Sequence, residues 1–161
     1  MNAIVVVDEN WKIGRDGGLL VHLSGELKYF KERTYGKTIV MGRKTLESFP
    51  GKKPLPGRRN IVLTKQKDYS AEGCSICHSK KDVLELLGEA GEEVFVAGGE
   101  SIYREFLADC DTVFLTKIYA AFPADRSFPN LDEGGEFSIV WESEVQEEKG
   151  IRYQSFQYVR N

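Results

Sequence analysis

The feature that most constrains the fold is an alternation. Short runs rich in β-branched residues recur along the chain, separated by segments with helical spacing. Strand candidates are Ala3–Val7, Thr38–Met41, Asn60–Leu63, Ser75–His78, Glu93–Ala97 and Thr112–Ile118, followed by the pair Phe137–Gln146 and Arg152–Val159. Helix candidates are Ser24–Thr34, Arg43–Ser48, Lys80–Glu89 and Glu100–Leu107. Strand, helix, strand, helix predicts an α/β fold with a mainly parallel sheet. The last two strands are joined only by Glu147-Glu148-Lys149-Gly150-Ile151, so the sheet is expected to end in an antiparallel hairpin. Three long irregular stretches, Asp8–Leu23, Phe49–Arg59 and Ala120–Gly135, interrupt the pattern. Long loops in a compact α/β domain tend to be functional, and ligands sit beyond the carboxyl ends of the strands.

With 161 residues, no repeat and no linker, the chain is expected to form one domain over 1–161. A formal net charge of −3 gives no global basic field, which argues against a nucleic-acid partner. The N-terminal run Ala3–Val7 is too short for a signal core or a membrane span and ends at Asp8. A cytoplasmic protein is the expectation. The three cysteines, Cys74, Cys77 and Cys110, suit reduced thiols. Cys74-Ser75-Ile76-Cys77 has C-x-x-C spacing beside His78, but no second ligand pair exists, and in a strand the two sulfurs would face opposite ways. No metal site is expected.

Residues 24–34 carry an acid in an unexpected place. Leu23, Leu27 and Phe30 form an apolar stripe, and helical spacing puts Glu26 on the same face. Two readings are open: a first-turn acid favoured by the helix dipole, or an acid that meets a ligand in an apolar pocket.

Several strand ends could handle phosphate. Glu93–Ala97 runs into Gly98-Gly99 and then a helix, which would let a backbone approach a pyrophosphate. A tight turn is the plainer account. Met41-Gly42-Arg43-Lys44-Thr45 places two cations at a helix start, against the dipole. An anionic ligand would remove that conflict, as would side chains extended into water. Thr64-Lys65 is a third such ending. Pro54-Leu55-Pro56-Gly57-Arg58-Arg59-Asn60 is a rigid turn delivering two arginines, either solvated or available for two-pronged carboxylate binding.

Together these pieces resemble the dihydrofolate reductase family. The resemblance runs in order over nearly the whole chain. It comprises Ile13-Gly14, Glu26-Leu27-Lys28-Tyr29-Phe30, Met41-Gly42-Arg43-Lys44-Thr45 with Glu47-Ser48, and Leu55-Pro56-Gly57-Arg58-Arg59-Asn60. Ala97-Gly98-Gly99 with Tyr103, Leu115-Thr116-Lys117-Ile118, and Asp125 with Phe128-Pro129 complete it. The resemblance implies an eight-stranded, mainly parallel sheet with four flanking helices and an antiparallel C-terminal hairpin. It implies reduction of 7,8-dihydrofolate to tetrahydrofolate with NADPH, by hydride transfer to C6 and protonation at N5, in support of one-carbon and thymidylate metabolism. A monomer is expected.

By the same resemblance, Glu26 is the single acid of the pterin pocket, and Thr116 would bond to its carboxylate or, through water, to the pterin. Ile4, Leu27, Phe30 and Phe49 would wall the ring, with Leu55 along the benzoyl part. The backbones of Val5, Val6 and Ala97 would meet the nicotinamide amide or the pterin amino group, and Leu19 would cover the nicotinamide. Arg58 would clamp the substrate's glutamate carboxylate. Gly98 and Gly99, with Lys44 and Thr45, would hold the pyrophosphate. Arg43, Thr64 and Lys65 would recognise the 2′-phosphate, with His78 on the adenine side. The cofactor set also takes in Ile13, Gly14, Gly42, Leu63, Glu100, Ser101, Ile102 and Tyr103.

The chain departs from the family pattern at four places. Leu20-Val21 stands where many members have Pro-Trp. Ser24, a good helix N-cap residue, replaces a proline common before the acid. The acid is Glu rather than Asp, and Glu100 occupies a position often held by a third glycine. Two other readings compete with a dihydrofolate reductase: a reductase of the same fold acting on another pterin or pyrimidine, and a non-catalytic nucleotide-binding module.

Overall fold

The computed structural model describes residues 1–14, 23–88 and 91–161. The proposed cover Leu19 and the Leu20-Val21 departure therefore lie outside the described residues. The described chain runs β1 (Asn2–Val7), β2 (Lys12–Gly14), α1 (Ser24–Thr34), β3 (Thr38–Gly42), α2 (Arg43–Glu47), β4 (Arg59–Leu63) and β5 (Cys74–Cys77). It continues with α3 (Lys80–Leu87), β6 (Val94–Val96), α4 (Glu100–Phe106), β7 (Thr112–Ile118), β8 (Arg126–Ser127), β9 (Phe137–Glu142), β10 (Gln146–Glu148) and β11 (Ile151–Arg160).

The main sheet has the order β10-β11-β7-β1-β6-β3-β4-β5. Every pair from β7 to β5 is parallel, and β11 returns antiparallel against β7. β9 and β10 both pair with β11, through Phe137–Glu142 and Gln146–Glu148, so they are two pieces of one interrupted edge strand. Counted that way the sheet has the eight strands expected among the described residues. The expected run Phe137–Gln146 is broken at 143–145, where Ser143 turns its hydroxyl to accept from Ser155 N–H at 3.0 Å. The turn from β10 to β11 needs only Lys149 and Gly150, both at positive φ (57° and 75°), as a two-residue hairpin requires.

Alternating strand residues divide the core. Val5, Val40, Ile61 and Val96 face one side, where Val83 and Leu87 of α3 and Ile102 and Phe106 of α4 cover them. Ile39, Met41 and Val62 face the other way, onto Leu46 of α2. Ile4, Phe95 and Phe114 share that face with Tyr29 and Phe30 of α1. Cys74 and Cys77 fall on opposite faces, as strand geometry dictates.

The short β2–β8 ladder has no counterpart among the strand candidates. It is fastened by Asp8, which is wholly buried. One Asp8 oxygen accepts from the N–H groups of Asn10 and Lys12 (2.8 and 3.0 Å), the other from Phe122 N–H (3.1 Å). The expected N-cap at Ser24 is also corrected. Leu23 is the cap position and offers no side-chain bond, while Ser24 is already helical. The acceptor comes from far away in sequence, as described below.

Candidate active site

The strand order turns at β1. The chain moves from β1 outward through β3, β4 and β5, then returns to place β6 and β7 on either side of β1. A crevice opens where such a reversal occurs. Here it is a cleft of about 1190 Å³, bounded by β1, α1, the β3–α2 junction, the ends of β4 and β5, and the β6–α4 junction. That exceeds the volume typical of one small-molecule site, and suits two ligands in contact.

Glu26 lies on the cleft face of α1, beside Leu27 and Phe30 and across from Ile4, Val5 and Phe49. Among the described residues no group hydrogen-bonds to its carboxyl or pairs with it. Although part of the side chain meets solvent, the carboxyl sits deep among apolar neighbours. Burial without a compensating partner disfavours the charge and pushes its pKa up from 4.5 to about 7. Such an acid exchanges its proton near neutrality and is open to a ligand.

The opposite end of the cleft is built from backbone and cations. The Gly98–Gly99 peptide is cis, and Gly98 has φ +120°. A Cβ at Gly98 would meet Thr45 Oγ1 at 3.4 Å and the Tyr103 ring at 3.5 Å, so a side chain there would fill the approach. Gly42 N–H donates to Gly98 O at 2.8 Å, joining the two strand ends. The buried Tyr103 hydroxyl donates to Ile4 O at 2.6 Å, and burial keeps it far above the ordinary tyrosine range, hence a donor. Lys44 and Lys65 line the cleft with no ion-pair partner among the described residues. Arg43 is different: it pairs with Glu47 at 2.7 Å. The clash between a cation and the helix start is thus offset inside the helix. The buried Thr64 accepts from Gln66 N–H at 3.2 Å, and His78 Nδ1 lies 2.9 Å from Thr64 O.

Glu100 does not confront this anion-friendly end. Its carboxylate accepts from Ser127 N–H (2.5 Å) and Ser127 Oγ (3.2 Å), tying α4 to β8. The Ser127 N–H, chiefly, holds its carboxyl below the usual range despite some burial.

The cleft brings together Ile4, Val5, Val6, Ile13, Gly14, Glu26, Leu27, Phe30, Gly42, Arg43, Lys44, Thr45, Phe49 and Leu55. It also gathers Leu63, Thr64, Lys65, His78, Ala97, Gly98, Gly99, Glu100, Ser101, Ile102 and Tyr103. Two expected residues stand outside it. Arg58 is not part of the lining: its Nε donates to Thr34 Oγ1 at 3.1 Å and its terminal nitrogens donate to Pro56 O (2.6 Å) and Lys31 O. Thr116 is buried, and its hydroxyl shares a bond with Ser155 Oγ at 3.1 Å rather than with Glu26. Lining residues that the sequence reading did not single out are Lys31, Pro50, Gln66, Ser79, Glu105 and Arg126. Gln66 and Ser79 directly follow expected contacts. Arg126 enters from β8, inside the stretch after β7 that only its length had marked.

Known proteins share this arrangement. The family model described as dihydrofolate reductase matches residues 1–160. A dihydrofolate reductase of Bacillus subtilis (strain 168) is 41% identical over 146 residues, covering 91% of this chain and 85% of that one. Another, of Staphylococcus haemolyticus, is 38% identical over 154 residues, covering 94% and 86%. Among solved structures, dihydrofolate reductase from Enterococcus faecalis, described as complexed with NADP(H) and RAB-propyl, superimposes with a TM-score of 0.90 at 34% identity. That match covers 99% of this chain and 95% of the other.

Proposed function

The chain belongs to the dihydrofolate reductase family, and from that membership we propose how its own residues carry the reaction. It is an NADPH-dependent oxidoreductase that reduces dihydrofolate to tetrahydrofolate. When bound, NADPH supplies the hydride that reaches C6 of the pterin. The cleft fits that cofactor, because the Gly98 approach would be filled by any Cβ, and Lys44 and Lys65, with no ion-pair partner among the described residues, line the cleft. Gly98, Gly99, Lys44 and Thr45 would hold the pyrophosphate, and Lys65 and Thr64 would meet the adenosine 2′-phosphate, with His78 on the adenine side. Arg43 serves there only in competition with Glu47.

Glu26 accepts hydrogen bonds from the pterin 2-amino group and N3, and Ile4, Leu27, Phe30 and Phe49 hold the ring flat. Holding two rings in contact is most of the catalytic work in hydride transfer. Paired with the pterin as a carboxylate, Glu26 favours the protonated state of the bound ring by its negative charge, and water delivers the proton to N5. Arg58 reads the glutamate carboxylate with the N–H groups left over from its three protein bonds. We take residues 1–161 as one domain, working as a cytoplasmic monomer. No helix among the described residues is long and apolar enough to cross a membrane.

The carrying observation is Glu26: an acid with no described partner, in an apolar cleft, titrating near 7. NADPH absorbance falls when dihydrofolate is added to the purified protein. In Glu26→Gln, single-turnover hydride transfer drops about a hundredfold at neutral pH while NADPH binding holds. Equal single-turnover rates in the two proteins would remove Glu26 from the mechanism.

A further inference from the structure

α1 begins without a cap of its own. Leu23, at the cap position, makes no side-chain bond to the free N–H groups. They are met from the C-terminal hairpin, 124 residues later in the chain. Glu148 Oε2 accepts from Ser24 N–H at 2.7 Å, and Oε1 accepts from Gly25 N–H at 3.1 Å and from the Ser24 hydroxyl at 2.8 Å. Tyr153 of β11 closes the same contact from the side. A Cβ at Gly25 would collide with the Tyr153 hydroxyl and lie 3.7 Å from Glu148 Oε1, so the hairpin and the helix start fit only around a glycine. The next residue is Glu26.

We propose that Glu148 is a positioning residue for the reaction: it fixes the first turn of α1 and, as an anion on that turn's N–H groups, offsets the helix-terminal charge that would otherwise favour ionised Glu26. The inference rests on Glu26 being the acid of the pterin site. Its physical basis is the partial positive charge of a helix start, which stabilises any carboxylate in the first turn. Glu26 is in that turn. With Glu148 already engaged by the first two N–H groups, Glu26 is left to its apolar surroundings. The other titratable groups that act on Glu26 are Tyr103 of α4 and Tyr153 of β11, both neutral near pH 7, and Lys149 acts on Glu148 from the hairpin turn.

The test is the pH dependence of single-turnover hydride transfer, run on NADPH-saturated protein so that ligand supports the fold. In Glu148→Gln the midpoint moves to lower pH by roughly half a unit, the size of a helix-terminus effect. Dihydrofolate KM rises in that variant while NADPH affinity is unchanged. Glu148→Asp keeps the charge with less reach, so its midpoint moves the same way by less and its KM still rises. If either folded variant loses thermal stability but keeps the wild-type midpoint and KM, Glu148 is only a helix cap and the proposal is overturned. Glu26→Gln, run in parallel, separates the two claims. If its transfer rate matches wild type, the acid's role fails. If its rate falls but the Glu148 variants keep the wild-type midpoint and KM, only the positioning role fails.

Discussion

A carboxyl that is harder to ionise folded than unfolded binds its proton more tightly in the native state, and stability then falls as pH rises. Glu26 is such a group. The folded protein holds the extra proton between pH 4.5 and about 7. Ligand-free protein should therefore lose stability as pH climbs through that window, by on the order of 3 kcal/mol, and level off above it. Urea denaturation at steps from pH 4.5 upward measures the slope, and Glu26→Gln should flatten it. The same titration predicts that hydride transfer slows as pH rises through about 7. A pH-independent transfer rate across that range would contradict the role. Glu26 itself was legible in the sequence, because helical spacing put an acid in an apolar stripe. The surroundings of Arg58 were not. Its guanidinium is held by Thr34 and by the Lys31 carbonyl, 24 and 27 residues away, and no local pattern encodes such contacts.

Two elements were recovered at their observed bounds: β7 at Thr112–Ile118, from a run rich in β-branched and apolar residues, and α1 at Ser24–Thr34, from the spacing of Leu23, Leu27 and Phe30. The β2–β8 ladder was missed for a physical reason. Its strands have three and two residues and depend on side chains outside them, Asp8 and Glu100, rather than on propensity. Asp8→Ala should strand three backbone N–H groups and cost roughly 3 kcal/mol, read as a shift of the urea midpoint with the slope unchanged. The edge strand was read as continuous because its break is set by Ser143 and Ser155 meeting across the sheet. At the helix start, Gly25→Ala should force Tyr153 or α1 to move, at a cost of about 1–3 kcal/mol in thermal or denaturant unfolding.

At the scale of the molecule, the cleft couples ligand to fold. NADPH at a hundred times its Kd should add about 2.7 kcal/mol to the unfolding free energy, and dihydrofolate should add its own increment. Calorimetry with and without each ligand reads this directly. The α/β class and the antiparallel ending were legible from the order of elements, but the strand order was not, since strand segments alone do not say that β6 returns between β1 and β3. That return has a consequence for how the protein is made. β1 is synthesised before every other strand described, yet it lies between β6 and β7. β1 has no neighbour to pair with until the chain has passed residue 94, and the helix bearing Glu26 meets its anchor only when residue 148 appears. The strands made before residue 94 must therefore wait with apolar surface exposed, and assembly of the catalytic cleft awaits synthesis of the hairpin that carries Glu148.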